Sequence, residues 1–217
     1  MKKLCFVALL AFLASSAPTV GLAQGTALGV KGGLSSAIHR GLNGSGDTLG
    51  VTRRTGSHFG AFITADFHRM LGVQFEGLYV EKGSQDPAGQ GSLALSYIEV
   101  PVVLKFKVPI RSSDLHVFMG PALSYEMRCR LTGFEGPVLV TLGCDDSLLG
   151  VETKKFEVGF RMGGGVSFSV GAGWVILDAA YDLGLTHVND VAGSLGDIKN
   201  RALLISLGLA FPVSGQR

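Results

Sequence analysis

Apolar and polar residues alternate along most of the chain, and this period-two pattern is the feature that most restricts its fold. In residues 57–68, Phe59 and Phe67 share one parity with other apolar residues, whereas His58 belongs to the polar parity. Successive side chains of a β-strand point to opposite faces, so the pattern predicts one apolar face and one polar face. Phe62 is the residue that interrupts the alternation in this segment.

The same alternation recurs in eight segments, each of about the length that a tilted membrane strand needs. These segments are residues 28–35, 57–68, 73–82, 98–106, 117–128, 155–168, 175–185 and 201–211. Apolar residues do not recur at helical spacing, and glycine interrupts nearly every segment. We therefore predict an all-β fold, an eight-stranded antiparallel up-and-down transmembrane β-barrel.

The connections between these segments alternate between short and long, which is the layout of outer-membrane barrels. Short connections fall at residues 69–71, 108–114 and 171–173, and longer polar ones at 37–56, 84–92, 129–153 and 187–199. An even number of strands places both ends of the barrel on the periplasmic side. The long loops are then expected to face the outside of the cell.

The first 23 residues have the composition of an export signal. A basic start at Lys2 and Lys3 precedes an apolar run at 4–14, and Gly21-Leu22-Ala23 supplies the small residues of a cleavage site. The run is shorter than the roughly 20 residues of a membrane-spanning helix, which disfavours the alternative of a helical anchor. We predict a removed signal peptide at 1–23 and a barrel domain at 24–217.

Charge excludes one class of partner. Without Lys2 and Lys3, the 19 basic residues become 17, equal to the 17 acidic residues. Nucleic-acid binding needs clustered excess lysine and arginine, and no such cluster interleaved with aromatic residues is present. We expect no nucleic-acid partner.

The polar faces carry charges of both signs near the middle of the strands. The interior of an eight-stranded barrel is just wide enough for side chains to fill it, and buried charges must be paired there. We predict a lumen network centred on Arg161, Arg128 and Lys105. Its ten members are Lys31, Glu76, Glu99, Lys105, Glu126, Arg128, Glu157, Arg161, Asp178 and Asp182.

A soluble β-sandwich is the alternative fold, and in it the same charges would be solvated at the surface. The apolar faces argue against that alternative, because together they would expose more apolar surface than soluble monomers normally show. Contact with lipid removes this difficulty.

Two cysteines, Cys129 and Cys144, remain after the signal peptide, and they flank a glycine-containing stretch. A disulfide is compatible with the oxidising compartment of an exported protein. Two free thiols are an alternative. Metal binding is the least favoured, because the spacing fits no zinc pattern and no histidine lies nearby.

No sequence motif for catalysis or for a cofactor is apparent, and we expect no enzyme activity, no cofactor and no metal. Asp178 and Asp182 share a strand face but lie roughly 13 Å apart at ~3.3 Å per residue, too far for shared acid–base chemistry. Some small outer-membrane barrels act on lipids, and that alternative would require a lipid-facing Ser-His-acid set.

Several short motifs resemble the bacterial outer-membrane β-barrel family called PorT-like or porin-family proteins. They are Gly29-Val30-Lys31-Gly32-Gly33-Leu34, Gln74-Phe75-Glu76-Gly77-Leu78-Tyr79 with Lys82-Gly83, Tyr97-Ile98-Glu99-Val100-Pro101-Val102-Val103-Leu104-Lys105 and Gly120-Pro121-Ala122. The resemblance implies a small eight-stranded barrel without a defined activity. Family members commonly end on an aromatic residue, whereas here Pro212 to Arg217 follow Phe211.

These inferences favour a structural or interaction role in the outer membrane. The expected partners are outer-membrane lipid, the barrel-assembly machinery and an extracellular ligand at loops 37–56 and 129–153, with the protein a monomer. The alternative is a narrow pore or small-solute transport barrel, and a lipid-acting enzyme is a minor alternative.

Overall fold

The computed structural model describes residues 25–40, 50–88, 91–135, 138–144, 155–186 and 199–213. The predicted signal peptide at 1–23 lies outside this part of the chain. Within it, every regular element is a strand, and no helix has the length and apolar character needed to cross a membrane.

The described chain contains nine strands, most of them long. They are β1 (Gly25–Arg40), β2 (Thr52–His68), β3 (Leu71–Gln85), β4 (Gly91–Ile110), β5 (Ser113–Glu135), β6 (Val138–Gly143), β7 (Phe156–Val170), β8 (Gly173–Gly184) and β9 (Lys199–Pro212). Eight of them, all except β6, correspond to the eight segments that alternation predicts.

The eight long strands form a closed antiparallel barrel. Each strand pairs with its neighbour in the sequence, with β5 pairing directly with β7, and β1 pairs with β9 to close the circle. Because every long strand is paired on both sides, the barrel wall has no open edge within the described residues. The predicted fold is confirmed.

Strand β6 was not predicted. The sequence places a long loop at 129–153, but part of that range continues β5 and returns as β6, with Arg130 opposite Gly143. Similarly, β1 continues to Arg40 and β2 begins at Thr52, so the predicted loop at 37–56 is shorter than expected. Strand pairing satisfies backbone groups beyond the membrane, and glycine and polar residues do not prevent it.

The two faces of the barrel wall are chemically opposite. Apolar side chains with the outward parity are exposed, such as Leu34, Phe59 and Leu207, whereas polar side chains with the inward parity are buried. Phe62 breaks the alternation because it points inward. It lies directly over Gly29, where a side chain would collide with the ring.

Tight two-residue turns join strands at one end of the barrel, at residues 69–70, 111–112 and 171–172. Gly171 has a φ of 59° and Arg111 a φ of 54°, the left-handed conformation that two-residue hairpin turns favour at their first position. The opposite end carries the longer connections and the β5–β6 extension. The barrel therefore has the predicted layout of short turns at one end and long connections at the other, and these are called the periplasmic and the outer end, following the predicted orientation.

Candidate functional site

Arg161 lies at the centre of the lumen. Its Nε and Nη2 atoms donate to the two carboxylate oxygens of Asp182 on the neighbouring strand β8, at 2.6 and 2.7 Å. Nη1 donates to Glu76 Oε2 at 2.9 Å and Nη2 to Glu99 Oε2 at 2.8 Å. One side chain on β7 thus binds carboxylates on β3, β4 and β8, and it spans the interior while being 1% exposed.

Two lysines complete the charge compensation around Arg161. Lys82 pairs with Glu99 and lies 3.8 Å from Asp182. Lys31 pairs with Glu76 at 2.6 Å, and its ammonium lies 5.8 Å from the centre of the Phe62 ring. Three cations therefore share three carboxylates, so no charge in this group is left without an opposite partner.

The periplasmic half of the lumen holds a second polar group. Lys105 donates to Gln74 Oε1 at 3.4 Å, and Thr64 donates to the same oxygen at 3.0 Å. Gln74 in turn donates to Glu76, which connects this group to the Arg161 cluster. Lys105 is therefore a peripheral member of the network and not one of its centres.

His116, Asp178 and Ser167 lie in contact on the same side of the lumen. His116 Nε2 is 2.7 Å from Asp178 Oδ1, and Nδ1 is 3.3 Å from Ser167 Oγ. Gly165 makes room for the pair, because a side chain there would meet both His116 and Asp178. The three residue types occur together in hydrolases, but all three side chains are buried inside the lumen.

The outer half of the lumen also contains polar contacts between strands. Asn200 Nδ2 donates to Tyr97 Oη at 3.1 Å and to Glu157 Oε2 at 2.7 Å. His39 Nδ1 lies 2.8 Å from Ser84 Oγ. These contacts join β1 to β3 and tie β9 to β4 and β7.

Eight of the ten predicted lumen residues are buried inside the barrel: Lys31, Glu76, Glu99, Lys105, Glu157, Arg161, Asp178 and Asp182. Glu126 is half-buried, and Arg128 is exposed on the outside. Placing Arg128 at the centre of the network was wrong.

A β-bulge explains the position of Arg128. Tyr97 faces Glu126 and Ser96 faces Arg128, so one extra residue, Met127, lies in β5 between these pairs. An extra residue inverts the alternation beyond it. Arg128 therefore turns outward, and Cys129 turns inward to pack on the Leu95–Tyr97 cluster.

Several buried polar residues were missed by the sequence analysis. Lys82 has the same parity as Glu76 and lies at the end of the predicted segment 73–82, so parity could have identified it. Tyr97 shares the parity of Glu99 in the same way. His58, which contacts Ser206 Oγ at 2.7 Å, was read only as part of a polar face.

Open space is found at the periplasmic end of the barrel. A recess of about 480 Å³ is lined by Thr26, Asp66, Ser169 and Trp174, and a smaller cavity of about 90 Å³ reaches Lys105 and Ser167. The polar contacts described above lie deeper in the lumen than this cavity.

The described residues contain no group of three or more metal-ligating side chains that could hold a metal ion. The two cysteines are joined instead: a disulfide links Cys129 on β5 to Cys144, just after β6, with 5.4 Å between their Cα atoms. It connects the two ends of the β5–β6 hairpin where this hairpin leaves the barrel.

An apolar band surrounds the outside of the barrel, and polar residues mark its outer limit. On β2 and β3 this limit is at Ser57 and Glu81. The Ser57 backbone N–H and hydroxyl donate to Glu81 Oε2 at 3.1 and 2.9 Å. These hydrogen bonds stabilise the carboxylate and lower the pKa of Glu81 below its usual value.

Solved structures similar to this one include several outer-membrane barrels. Ail, the attachment invasion locus protein of Yersinia pestis, is 13% identical, with a TM-score of 0.44 over 86% of this chain and 99% of that one. Neisserial surface protein A is 13% identical, with a TM-score of 0.45 over 85% of this chain and 97% of that one. OprG from Pseudomonas aeruginosa is 10% identical, with a TM-score of 0.47 over 86% of this chain and 96% of that one.

Among curated proteins, no sequence matches the chain. A family model, however, matches residues 5–211, which is nearly the whole chain. Closed antiparallel architecture, an apolar outer band and a charged, buried lumen agree with that match. The chain belongs to the outer membrane protein beta-barrel domain family, and it is an outer-membrane protein.

Proposed function

We propose that this protein is a non-conducting interaction barrel, a rigid monomeric body that holds a β-sheet outside the cell for contact with an extracellular ligand. It has no catalytic activity and no nucleic-acid partner in this proposal. Its other partners are outer-membrane lipid and the machinery that assembles barrels in the membrane.

The observation that carries the proposal is the position of Arg161. Its guanidinium reaches carboxylates on three strands, and Lys82 and Lys31 fill the space beside it. A solute path would have to break ion pairs that are almost completely buried. Moving such a charge away from its partners costs several kcal/mol, so the lumen acts as a packed core.

The external part of the molecule supports an interaction role. Strands β4 and β5 continue past the outer limit of the apolar band, and β6 adds a third strand to this projection. The Cys129–Cys144 disulfide fixes its base. A rigid sheet lowers the entropy cost of binding compared with a flexible loop. The predicted ligand region 129–153 includes the β5–β6 part of this projection.

A conductance measurement tests the proposal. The purified full-length protein, shown to be folded by a heat-dependent gel shift, is added to planar lipid bilayers. We expect no current steps above the baseline. An Arg161→Ala/Glu99→Ala double variant, with less volume and charge in the lumen, is the matched positive comparison. Current steps from the folded unmodified protein would overturn the proposal in favour of the narrow-pore alternative.

The lipid-acting enzyme alternative makes a different prediction, since Ser167, His116 and Asp178 are the residues that would carry it. The set faces the lumen and not the lipid, and Ser167 is 7% exposed. A fluorophosphonate probe should therefore leave the folded protein unlabelled. Labelling that disappears in a Ser167→Ala variant would instead support a hydrolase.

A further inference from the structure

Four basic residues form a cluster on the outside of the barrel at the outer ends of β9, β1 and β2. We name this the rim cluster: Arg40, Arg53, Lys199 and Arg201. Arg40 lies directly opposite Lys199 in the β1–β9 ladder, and Arg201 lies opposite Ile38. Ala37 lies opposite Arg54, so Arg53 flanks Ile38 from the other side.

The geometry of the ladder brings these charges close together. Neighbouring strands are about 4.8 Å apart, and same-face residues along a strand are about 7 Å apart. Arg53 and Arg201 therefore lie on either side of β1. Arg40 and Lys199 lie about 7 Å further toward the outer end of the barrel. Arg53 Nη1 donates to the Ser36 carbonyl oxygen at 3.1 Å, which holds its guanidinium over β1. Arg40 and Arg53 are exposed, and Lys199 and Arg201 are half-exposed.

The rim cluster has no carboxylate beside it in the part of the chain that the structure describes. The outward-facing described residues at the outer ends of β1, β2, β8 and β9 include no aspartate or glutamate, and Glu81 on β3 is hydrogen-bonded to Ser57, four residues along β2 from Arg53. The barrel interior behaves differently, since each cation around Arg161 contacts a carboxylate there. Four like charges in such proximity repel one another, and an anion placed among them would remove this repulsion.

The height of the rim cluster indicates what the anion is. Arg201 lies two residues beyond Leu203, which belongs to the exposed apolar band at 40% exposure. Two residues correspond to about 7 Å, and each interfacial layer of a bilayer is about 5–7 Å thick. The basic side chains therefore lie at the level of lipid headgroups, immediately above the acyl chains that contact Leu34, Leu203 and Ile205.

We propose that the rim cluster is a binding site for the phosphate groups of an outer-leaflet lipid. The apolar surface below it, formed by Leu34, Leu203 and Ile205, would contact the acyl chains of the same molecule. Arginine suits this role because its planar guanidinium donates two hydrogen bonds to one phosphate. This site rests on the outer-membrane lipid partner of the proposed function, and it is independent of the lumen and of the extracellular ligand.

The opposite wall of the barrel provides a matched control. Arg128 and Arg130 on β5 are also exposed, outward-facing and at the outer end. They differ from the rim cluster in being two charges and not four, and a carboxylate lies on the same surface, since Glu81 is opposite Ser96 on β4 and Ser96 is opposite Arg128. Two charges with a carboxylate on the same surface attract phosphate less than four do, so they should contribute less to phosphate binding.

The test compares full-length proteins in detergent micelles, each shown to be folded by the heat-dependent gel shift. Lipid binding is titrated by native mass spectrometry with diphosphorylated lipid A and with the same lipid after enzymatic removal of both phosphates. Two variants are compared with the unmodified protein. One is Arg40→Gln/Arg53→Gln/Lys199→Gln/Arg201→Gln, and the other is Arg128→Gln/Arg130→Gln.

We expect the rim variant to bind diphosphorylated lipid about tenfold more weakly or worse, and the Arg128/Arg130 variant to change affinity by less than about twofold. The dephosphorylated lipid should bind the unmodified protein as weakly as the rim variant binds the intact lipid. Equal affinities for the two lipids, or equal losses in the two variants, would overturn the proposal. Tight binding of inorganic phosphate alone at the rim cluster would also overturn it, because the site would then be for a free anion.

Discussion

At the scale of single residues, the lumen shows how a charged side chain can be buried without being isolated. Arg161 uses Nε, Nη1 and Nη2 for carboxylates, and Ser124 donates to the remaining oxygen of Glu99 at 3.1 Å. A buried ion pair is worth little relative to an apolar pair of the same size, but removing one partner leaves an uncompensated buried charge. The residues of this network should therefore be individually sensitive to substitution.

We expect Arg161→Gln to reduce the free energy of unfolding by about 3–5 kcal/mol, because Glu76, Glu99 and Asp182 lose a shared cation. Urea unfolding in lipid vesicles, followed by the fluorescence of the single tryptophan, measures this change. Arg128→Gln is the control. It removes the same charge from the exposed outer face, and it should change the free energy by less than about 0.5 kcal/mol. Equal changes in the free energy of unfolding for the two variants would show that the burial of Arg161 does not explain its contribution to stability.

Ser57 and Glu81 give a pH prediction outside the lumen. Hydrogen bonds from Ser57 lower the pKa of Glu81 in the folded protein. The stabilisation is present above the unfolded pKa of about 4.3 and is lost as the pH falls through the lower folded value. NMR titration of the Glu81 carboxyl carbon should give a pKa below 4.3 in the unmodified protein and a higher one in Ser57→Ala. Because alanine keeps the backbone N–H at position 57, the rise should be partial, and an unchanged pKa in the variant would contradict the contribution of the Ser57 hydroxyl.

At the scale of elements, the most informative departure from regular structure is the bulge in β5. One extra residue at Met127 changes which side chains face inward beyond it, so that Cys129 packs on Leu95 and Arg128 faces out. The same strand then leaves the barrel and forms the β5–β6 hairpin. The bulge thus separates a membrane-spanning section from an external section with its own small core.

The disulfide should stabilise the external hairpin and not the barrel. Cys129 and Cys144 are 15 residues apart, and closing a loop of this size is worth about 3 kcal/mol in the chain-entropy model. Limited proteolysis of vesicle-inserted protein should cut within 130–143 after reduction or in a Cys129→Ser/Cys144→Ser variant, and not before. The heat-dependent gel shift should be the same in both proteins. Unchanged resistance of the reduced hairpin would refute this role.

At the scale of the whole molecule, the distribution of polar and apolar residues is the reverse of that in a soluble protein. The exterior is apolar and the interior carries ion pairs, an arrangement that is stable only where lipid covers the exterior. Closure of the sheet is equally necessary, because an open strand edge would leave backbone groups without partners in the bilayer.

This arrangement predicts resistance to detergent. Samples of the outer-membrane fraction kept at room temperature should migrate differently in a denaturing gel from samples that have been boiled, since the closed barrel unfolds only on heating. Recovery in the soluble periplasmic fraction, with identical migration before and after boiling, would contradict a membrane barrel. The protein would then be a soluble β-protein, and its exposed apolar residues would need another explanation.

The sequence alone determined the fold, the membrane environment and the inward direction of most charges, because one parity rule governs every residue of a regular strand. It could not determine the position of Arg128, because the bulge is an irregularity in the pairing of β5 with β4. The bulge inverts the alternation of side chains, and no residue pattern in the sequence indicates it. Nor could it show that Lys82 joins Arg161 at the centre of the lumen or that β6 exists. Those features depend on which strands face each other across the closed barrel, and only the tertiary structure decides that.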